Sequence, residues 1–313
     1  MMNVACVGIL VADVIVDAVE NYPKKGELLP VNSITVHNGG NAMTASINLK
    51  KLGVSSSMVG KIGNDMFGNY LKGVLESKDV DITGLKIDNN VQTSVSAVIV
   101  DGDGERSFLH CCGTNNVFSI KDIDWDVIEK ADLVFVTGTF IMNTFDGDET
   151  TEFLKKCKEL GKTTFLDVCW DASGRWGKLL DGSMPYIDYF MPSIDEAICI
   201  ADEKDVDKIA KVFFEKGVGN VVIKMGSKGC FVQEKGNTAN IYPCYKVNAV
   251  DTIGAGDSFC SGFLAAFARG KSLDFCAKFA NAVAAHCVMG KGATSGIKTY
   301  DEIIDFMNNN KTN

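Results

Sequence analysis

The sequence predicts an α/β fold with a mostly parallel sheet that helices cover on both faces. Short runs of nearly continuous apolar residues recur along the chain, as strands buried on both faces require. Segments with helical character separate these runs, and such alternation of strand and helix favours parallel pairing. The predicted strands are residues 131–137, 163–168, 186–192 and 220–225, and the helices are residues 150–160, 196–201 and 206–216.

A first predicted strand lies at the N-terminus. Residues 4–12 form an apolar stretch that no basic segment precedes, and Asp13 interrupts it. The stretch is too short and wrongly flanked for a signal peptide, so we interpret it as one buried strand. With 313 residues, 46% hydrophobic and 23% charged, the composition is typical of a large globular α/β domain.

The charge and the cysteine pattern limit the partners and the compartment. The net charge of −9 argues against a nucleic-acid surface, because phosphate contacts need clustered Lys and Arg. The eleven cysteines are scattered without any Cys-x-x-Cys spacing, which argues against zinc or a thioredoxin-like motif. They are typical of reduced core cysteines, so we predict a cytoplasmic protein that does not span a membrane.

Two regions interrupt the alternation of strands and helices. Residues 14–37 contain two extended stretches around a turn, and residues 92–110 alternate polar and apolar side chains around Asp101-Gly102-Asp103-Gly104. The second region is typical of a hairpin. Together they predict a small antiparallel sheet inserted in the α/β core, a candidate lid. Because its edges are unpaired, we also predict a homodimer formed through this sheet.

The segment from Asp251 to Phe259 is the most informative in the chain. An apolar stretch of helix formers follows it, so a helix is predicted to begin near Gly256 or Asp257. Helix N-termini bind anions through unpaired N–H groups, and glycine allows a close approach. One hypothesis is that Asp257 accepts the proton of an attacking hydroxyl while the amides of residues 254–256 hold a phosphoryl group. The alternative is an Asp N-cap behind a glycine-rich turn.

Acidic side chains follow several of the predicted strands. Asp13, Asp167, Asp171 and Glu196 each come just after such a run. Ligands of parallel α/β sheets bind beyond the carboxyl ends of the strands. Taken singly, each carboxylate is better explained as a solvated loop residue, but together with an anion site they predict a magnesium phosphate ligand. Gly39-Gly40 precedes a helical stretch and either admits a ligand hydroxyl or forms a plain turn.

Several spaced motifs together make the chain resemble the ribokinase-like, PfkB-type carbohydrate kinases over nearly its whole length. Residues 251–264 (DTIGAGDSFCSGFL) resemble the C-terminal signature of that family. Residues 39–53, followed by residues 60–68, resemble its N-terminal signature. Further matches are Asp13 with the sugar-hydroxyl ligand, residues 104–108 with the return strand of the lid, residues 226–229 with the nucleotide-side turn, and Gly292-Ala293 with the segment near the adenine.

The resemblance implies one three-layer α/β/α kinase domain over residues 1–313, with lid segments at about residues 14–38 and 91–112. The implied reaction is ATP-dependent phosphoryl transfer to a hydroxyl of a small carbohydrate. Mg²⁺ is implied as a cofactor, and K⁺ is a candidate because some relatives bind a monovalent cation.

The resemblance also assigns roles to individual residues. Asp257 would be the catalytic base, and the amides of Gly254, Ala255 and Gly256 would form the anion hole. The acceptor pocket would comprise Asp13, Asn38, Gly39, Gly40 and Asn41, with Arg106 reaching it from the lid. The nucleotide side would comprise Thr252, Lys224, Gly226, Gly229, Asn281 and Gly292. Glu196 would act on Mg²⁺ through water, and Asp251 and Ile253 match the region of the monovalent cation.

Three departures from the family pattern affect the predicted site. Thr44 replaces the usual Asn in the helix after the glycine pair, and Ser193 replaces the Asn of the N-x-x-E motif. The segment after Asp167 is altered, so that Asp171 and Arg175 either act locally or form a structural ion pair. Two alternatives to a sugar kinase stay open: a nucleoside kinase with the same machinery, and a sensor that binds a sugar or nucleotide without phosphorylating it. The retained Asp257 argues against the sensor.

Overall fold

The computed structural model describes residues 1–17, 19, 21–102 and 105–312. Strands and helices alternate through most of these residues, as predicted. The strands are β1 Val4–Gly8, β2 Val11–Asp17, β3 Ser33–Gly39, β4 Ser56–Gly63, β5 Leu85–Asp88, β6 Val95–Val100, β7 Arg106–Cys111, β8 Leu133–Thr139, β9 Thr163–Val168, β10 Tyr189–Phe190, β11 Asn220–Lys224, β12 Cys230–Glu234 and β13 Asn240–Tyr242. The helices are α1 Asn41–Lys51, α2 Met66–Ser77, α3 Gly113–Asn116, α4 Trp125–Lys130, α5 Asp148–Glu159, α6 Gly177–Leu180, α7 Ile194–Ala201, α8 Val206–Glu215, α9 Ala255–Phe267, α10 Leu273–Val288 and α11 Tyr300–Asn309.

The larger of two sheets has nine strands in the order β13-β12-β11-β10-β9-β8-β1-β4-β5. Neighbours from β11 through β5 pair in parallel, whereas β12 and β13 add an antiparallel edge. The predicted mostly parallel sheet is therefore confirmed. Because the strands run in parallel, their carboxyl ends meet along one edge, which is where such folds bind ligands.

Helices cover both faces of this sheet. In β1, Val4 and Cys6 pack into one apolar cluster with α1, α9 and α10, whereas Ala5 and Val7 pack into a second cluster with α5 and α8. Alternate side chains of a strand point to opposite faces, so both faces are buried and the fold has three layers. In the part of the chain that is described, no helix is both long and apolar enough to cross a membrane.

Two predicted strands differ from those observed. Residues 4–12 do not form one strand, because the chain leaves the large sheet after Gly8 and enters the small sheet at Val11. Asp13 consequently lies within β2, opposite His37, and does not follow a strand end. The strand predicted at residues 186–192 shortens to Tyr189–Phe190, and its first residue, Tyr186, instead ends a single turn of 3-10 helix at Met184–Tyr186.

The small sheet has the order β3-β2-β6-β7 and contains both regions predicted as a lid. The β2–β3 and β6–β7 pairs are antiparallel, but β2 and β6 pair in parallel, so the sheet is not antiparallel throughout. β6 and β7 form the predicted hairpin. Asp103 and Gly104 of its turn lie outside the described residues.

The start of α1 depends on a glycine that the backbone geometry requires. Gly40 has φ 87°, in the left-handed region that favours glycine. A Cβ atom there would lie 2.6 Å from the Ile9 carbonyl oxygen and 2.7 Å from the Leu10 Cα. The helix therefore begins directly against the crossing from β1 to β2, which places Asn41 at the carboxyl edge of the large sheet.

Candidate active site

A cavity of about 640 Å³ opens beyond the carboxyl ends of β9, β10 and β11, against the N-terminus of α9. This is the edge at which the sequence predicted a site, and the cavity brings together predicted residues from five separate segments. Its lining comprises Asn41, Asp167, Val168, Cys169, Trp170, Ser193, Ile194, Asp195, Glu196, Lys224, Met225, Gly226, Ser227, Thr252, Gly254, Ala255, Gly256 and Asp257.

The N-terminus of α9 forms one wall of this cavity. Gly254 precedes the helix with φ 72°, and a Cβ atom there would collide with Ala293. The first turn of a helix leaves N–H groups without intrahelical partners, although here the Ala255 N–H donates to the Thr252 carbonyl at 3.3 Å. Gly256 exposes its backbone to the cavity. The glycine-rich loop therefore presents a helix N-terminus to whatever enters, which is a suitable arrangement for an anion.

Asp257 lies in the first turn of α9 but does not cap it. Its Oδ1 accepts a hydrogen bond from Asn41 Nδ2 at 2.7 Å, and Gly254 occupies the N-cap position. The plain N-cap explanation is therefore wrong. Burial raises the pKa of Asp257 above its ordinary value, while Lys224 and the Asn41 hydrogen bond lower it and Glu196 raises it further.

Lys224 and Asp167 form a buried ion pair beside Asp257. Lys224 Nζ lies 2.7 Å from Asp167 Oδ1, and the two side chains are 12% and 2% exposed. The ammonium also points toward α9, because Nζ lies 3.7 Å from the place that a Cβ atom on Gly256 would take. Burial lowers the pKa of Lys224, but the carboxylates around it outweigh burial and raise that pKa above its ordinary range, so the side chain stays cationic.

Glu196 reaches the cavity from the N-terminus of α7. Ser193 caps that helix, since its Oγ accepts from the Glu196 N–H at 3.3 Å while Glu196 Oε2 accepts from the Ser193 N–H at 2.7 Å. This capping box makes Ser193, the residue that departs from the family motif, the N-cap of α7. It also holds the Glu196 carboxylate near Asp167 and Asp257, whose pKa values it raises.

The charges around the cavity fit a magnesium phosphate ligand. Four acidic residues, Asp167, Asp195, Glu196 and Asp257, line it together with the Lys224 ammonium. A polyphosphate entering such a site needs further positive charge, which Mg²⁺ supplies with water in most of its coordination positions. In the described ranges no group of three or more His, Cys, Asp or Glu side chains is arranged to hold a metal directly.

On the other side of Asn41, the small sheet supplies the predicted acceptor residues. A Cβ atom on Gly39 would collide with the Asp13 carboxylate, so the two residues are in close contact. Burial raises the pKa of Asp13 to about 6, against the lowering effects of Ser96 and Arg106. Asn38 Nδ2 is buried, and no hydrogen-bond partner for it is present among the described residues. A buried donor without a partner is costly, but Asn38 pairs with Ala12, so its side chain lies on the face of β3 opposite to that of Asp13 and His37.

Arg106 and Asp251 connect the small sheet to the loop before α9. Arg106 Nη2 lies 3.0 Å from Asp251 Oδ2, which also accepts from the Gly292 N–H at 2.8 Å. Asp251 Oδ1 accepts from the Ile253 N–H at 3.0 Å. Although burial raises the pKa of Asp251, these donors together lower it below its ordinary value. Both carboxylate oxygens are thus already engaged, and Arg106 binds this loop.

The predicted nucleotide residues do not all lie at the cavity. Lys224, Gly226 and Thr252 line it, and, apart from the local chain, no atom of the described residues lies within 4 Å of the place that a Cβ atom on Gly226 would take. Gly292 is not among the lining residues, and its N–H donates to Asp251 Oδ2.

Gly229 and Asn281 instead lie behind the wall. A Cβ atom on Gly229 would collide with the Tyr242 carbonyl, and Asn281 Nδ2 donates to that carbonyl at 3.0 Å. These two residues hold the hairpin of β12 and β13 in place.

The site also contains residues that the sequence did not single out. Cys169 and Trp170 line the cavity after β9, and Trp170 is 57% exposed with its ring edge against Trp176. In the sequence, the only feature that could have indicated Cys169 and Trp170 is their position directly after a buried strand.

Asp171 and Arg175 form an ion pair at 3.6 Å, and Asp171 also accepts from the Trp176 N–H at 2.8 Å. Of the two roles weighed for this pair, the structural one fits the contacts.

Comparison with known proteins assigns the chain to a class. A family model described as pfkB family carbohydrate kinase matches residues 1–300. The chain therefore belongs to the pfkB family of carbohydrate kinases, which transfer a phosphoryl group from ATP to an alcohol group of a carbohydrate.

Individual relatives agree with this class over nearly the whole chain. The ribokinase of Haemophilus influenzae is 27% identical, over 93% of this chain and 94% of that protein. Two solved structures share the fold. They are Arabidopsis thaliana ribokinase in complex with ribose and ATP (24% identity, 98% of each chain, TM-score 0.85) and the nucleoside kinase of Methanocaldococcus jannaschii (23% identity, 99% of each chain, TM-score 0.81).

Proposed function

We propose that the protein transfers the γ-phosphoryl group of ATP to a hydroxyl of a small sugar, with Asp257 as the general base. One observation carries this proposal: the Asp257 carboxylate stands at the N-terminus of α9, inside the cavity and beside Lys224. A pure binding protein has no need of a carboxylate at an anion site, because it repels phosphate unless it accepts a proton.

The cavity supplies the two requirements of phosphoryl transfer, positioning and charge neutralisation. The acceptor oxygen attacks phosphorus, the bond from phosphorus to the ADP oxygen breaks, and Asp257 receives the hydroxyl proton. The N–H groups at the start of α9 and the Lys224 ammonium stabilise charge on the transferring group. Glu196 is suited to hold Mg²⁺ through water, and the ion would neutralise phosphate charge. For a monovalent cation, the engaged oxygens of Asp251 leave backbone carbonyls of that loop as the candidate ligands.

The acceptor is held, in this proposal, by Asp13 and the backbone of Gly39-Gly40, since Asn38 pairs with Ala12 and lies on the other face of the small sheet. The Asp13 carboxylate can accept hydrogen bonds from the hydroxyls of a sugar. A nucleoside is the alternative acceptor, because the chain shares its fold with a nucleoside kinase.

A coupled assay of ADP release over sugars and nucleosides, with purified protein and MgATP, separates a sugar kinase from a nucleoside kinase. Turnover with sugars supports the proposal, whereas turnover with nucleosides alone, or tight ATP binding without any product, contradicts it.

Acceptor turnover should fall in acid at a higher pH than an exposed aspartate would cause. The pKa of Asp13 is raised to about 6, and the ionised form is the one that accepts hydrogen bonds from sugar hydroxyls. That form is present above about pH 6 and is lost as the pH falls through this value. We expect kcat/KM for the acceptor to show an acidic limb near pH 6, since this parameter reports the free enzyme. A limb near pH 4 would contradict the role of Asp13.

We propose that residues 1–313 form one kinase domain of a cytoplasmic enzyme. Within it, the small sheet is proposed to act both as a lid and as the contact between two copies of the chain. On its face toward the site lie Asp13 and the residues opposite it, His37 and Ser96. On the other face lie Val14 and Ala97, with Leu109 paired to Ala97. That second face is apolar, and Leu109 is 69% exposed. An exposed apolar sheet face of this kind suits a second copy of the chain.

Sedimentation equilibrium should therefore give a mass twice the 33.7 kDa of the chain. Replacing Leu109 with Glu should shift the protein to monomer, because a carboxylate would be buried against the partner. Ile87→Glu is the matched control, since Ile87 is 51% exposed on the large sheet. A monomeric mass for the unchanged protein would refute the dimer.

A further inference from the structure

Two side chains form a chain of hydrogen bonds that ends on the Asp257 carboxylate. Asn41 Nδ2 donates to Asp257 Oδ1 at 2.7 Å, and Cys169 Sγ donates to Asn41 Oδ1 at 3.3 Å. The three residues come from α1, the end of β9 and α9, and 128 and 216 residues of chain separate Asn41 from its two partners. The backbone anchors Cys169 as well, because its N–H donates to the Thr139 carbonyl at 2.9 Å.

The direction of this chain of hydrogen bonds is determined at both ends. An amide has one donor end and one acceptor end, so Asn41 can offer Nδ2 to Asp257 only if Oδ1 faces Cys169. The thiol keeps its proton, because burial and the carboxylates Asp167, Asp257 and Glu196 raise the pKa of Cys169 well above its ordinary value. A thiol is a weak donor and carries little energy, but it favours one orientation of the amide when Asp257 is protonated as well as when it is ionised.

We propose that Cys169 and Asn41 are positioning residues that hold the Asp257 carboxylate by Oδ1 and leave Oδ2 as the oxygen that receives the acceptor proton. The proposal rests on the proposed function of Asp257 as a base. It gives Asn41 a role beside the base in place of the predicted role in the acceptor pocket, since its Oδ1 and one of its two Nδ2 hydrogens are engaged within the protein. No hydrogen bond to Asp257 Oδ2 is present within the described part of the chain, which leaves that oxygen available to the cavity.

The test is a titration of Asp257 that does not depend on turnover. Protein labelled with ¹³C at the Asp carboxyl carbons is titrated by NMR, and the Asp257 signal is identified by its loss in Asp257→Asn. In Asn41→Ala we expect the pKa of Asp257 to rise by about one pH unit, because a hydrogen bond to the charged form is lost. Cys169→Ala should raise it by less, and Cys169→Ser, which keeps a donor, should return it close to the unchanged protein. Cys276→Ala removes another buried thiol, far along the chain in α10, and is the control.

The kinetic expectation follows from the same titration. The acidic limb of kcat with a saturating acceptor should move upward by the same amount in Asn41→Ala, whereas a purely structural role would lower stability without moving that limb. An unchanged Asp257 titration in Asn41→Ala overturns the inference, whatever the activity. If the Asp257 titration shifts but the unchanged protein phosphorylates no acceptor, the proposed function is wrong, whereas the positioning of the Asp257 carboxylate by Asn41 and Cys169 is supported.

Discussion

Replacing Asp257 with Asn is expected to lower kcat by about 10³-fold, within the range that a positioned general base contributes. The Asn side chain has the same shape and its amide oxygen still accepts from Asn41, so the fold should persist. What is lost is the ability to take the acceptor proton. Steady-state kinetics with the best acceptor and MgATP measures this loss. Affinity for MgATP, measured by calorimetry, should stay the same or rise, because the substitution removes one negative charge from the cavity.

Asp274→Asn is the matched control for this experiment. Asp274 also lies in the first turn of a helix, α10, and forms an exposed ion pair with Lys278. Its replacement should change stability by less than about 1 kcal/mol and leave kcat alone. Equal turnover by Asp257→Asn and the unchanged protein would show that the carboxylate is not the base.

Replacing Lys224 with Met is expected to lower kcat by about 10²- to 10³-fold, as the removal of one preorganised charge from a developing anion does. Its ammonium points at the start of α9, where the transferring phosphoryl group is proposed to lie. The same change should lower the free energy of unfolding by about 3–5 kcal/mol, because it leaves the Asp167 carboxylate buried without its partner. Chemical denaturation and steady-state kinetics measure the two effects separately.

A double variant distinguishes the two roles of Lys224. Lys224→Met combined with Asp167→Asn removes the unpaired charge, so much of the stability should return. The kcat should stay low, since no cation then faces the N-terminus of α9. Recovery of kcat together with stability would mean that Lys224 serves only to neutralise Asp167.

The parts of the site that the sequence predicted are those with local signals. The apolar runs that became β8, β9 and β11 are buried on both faces, which produces continuous hydrophobic sequence wherever the strand lies. The start of α9 was predicted within about two residues because its glycine-rich turn precedes an apolar helical stretch. Residues 4–12 were misread as one strand, because an apolar run carries no sign of a change from one sheet to another at Gly8.

Long-range contacts account for what the sequence missed. Cys169 belongs to no motif. Its contact with Asn41 exists only because the end of β9 and the start of α1 lie at the same edge of the sheet. Gly229 and Asn281 match the family pattern, yet both contact the Tyr242 carbonyl behind the cavity wall and do not line the cavity. The parallel pairing of β2 with β6 likewise joins segments about 80 residues apart, for which a hairpin signal gives no guide.

The sequence by itself determined the fold class, the family and the residue proposed as the base. It could do so because hydrophobic periodicity, glycine turns and spaced motifs can be recognised along the chain without knowledge of its long-range contacts. Only the tertiary structure decided which side chains surround Asp257. The Asn41 amide, the Lys224 ammonium and the Glu196 carboxylate come from separate elements, and their influence on one carboxylate depends on distances and burial that exist only once the sheet has brought the carboxyl ends of its strands together.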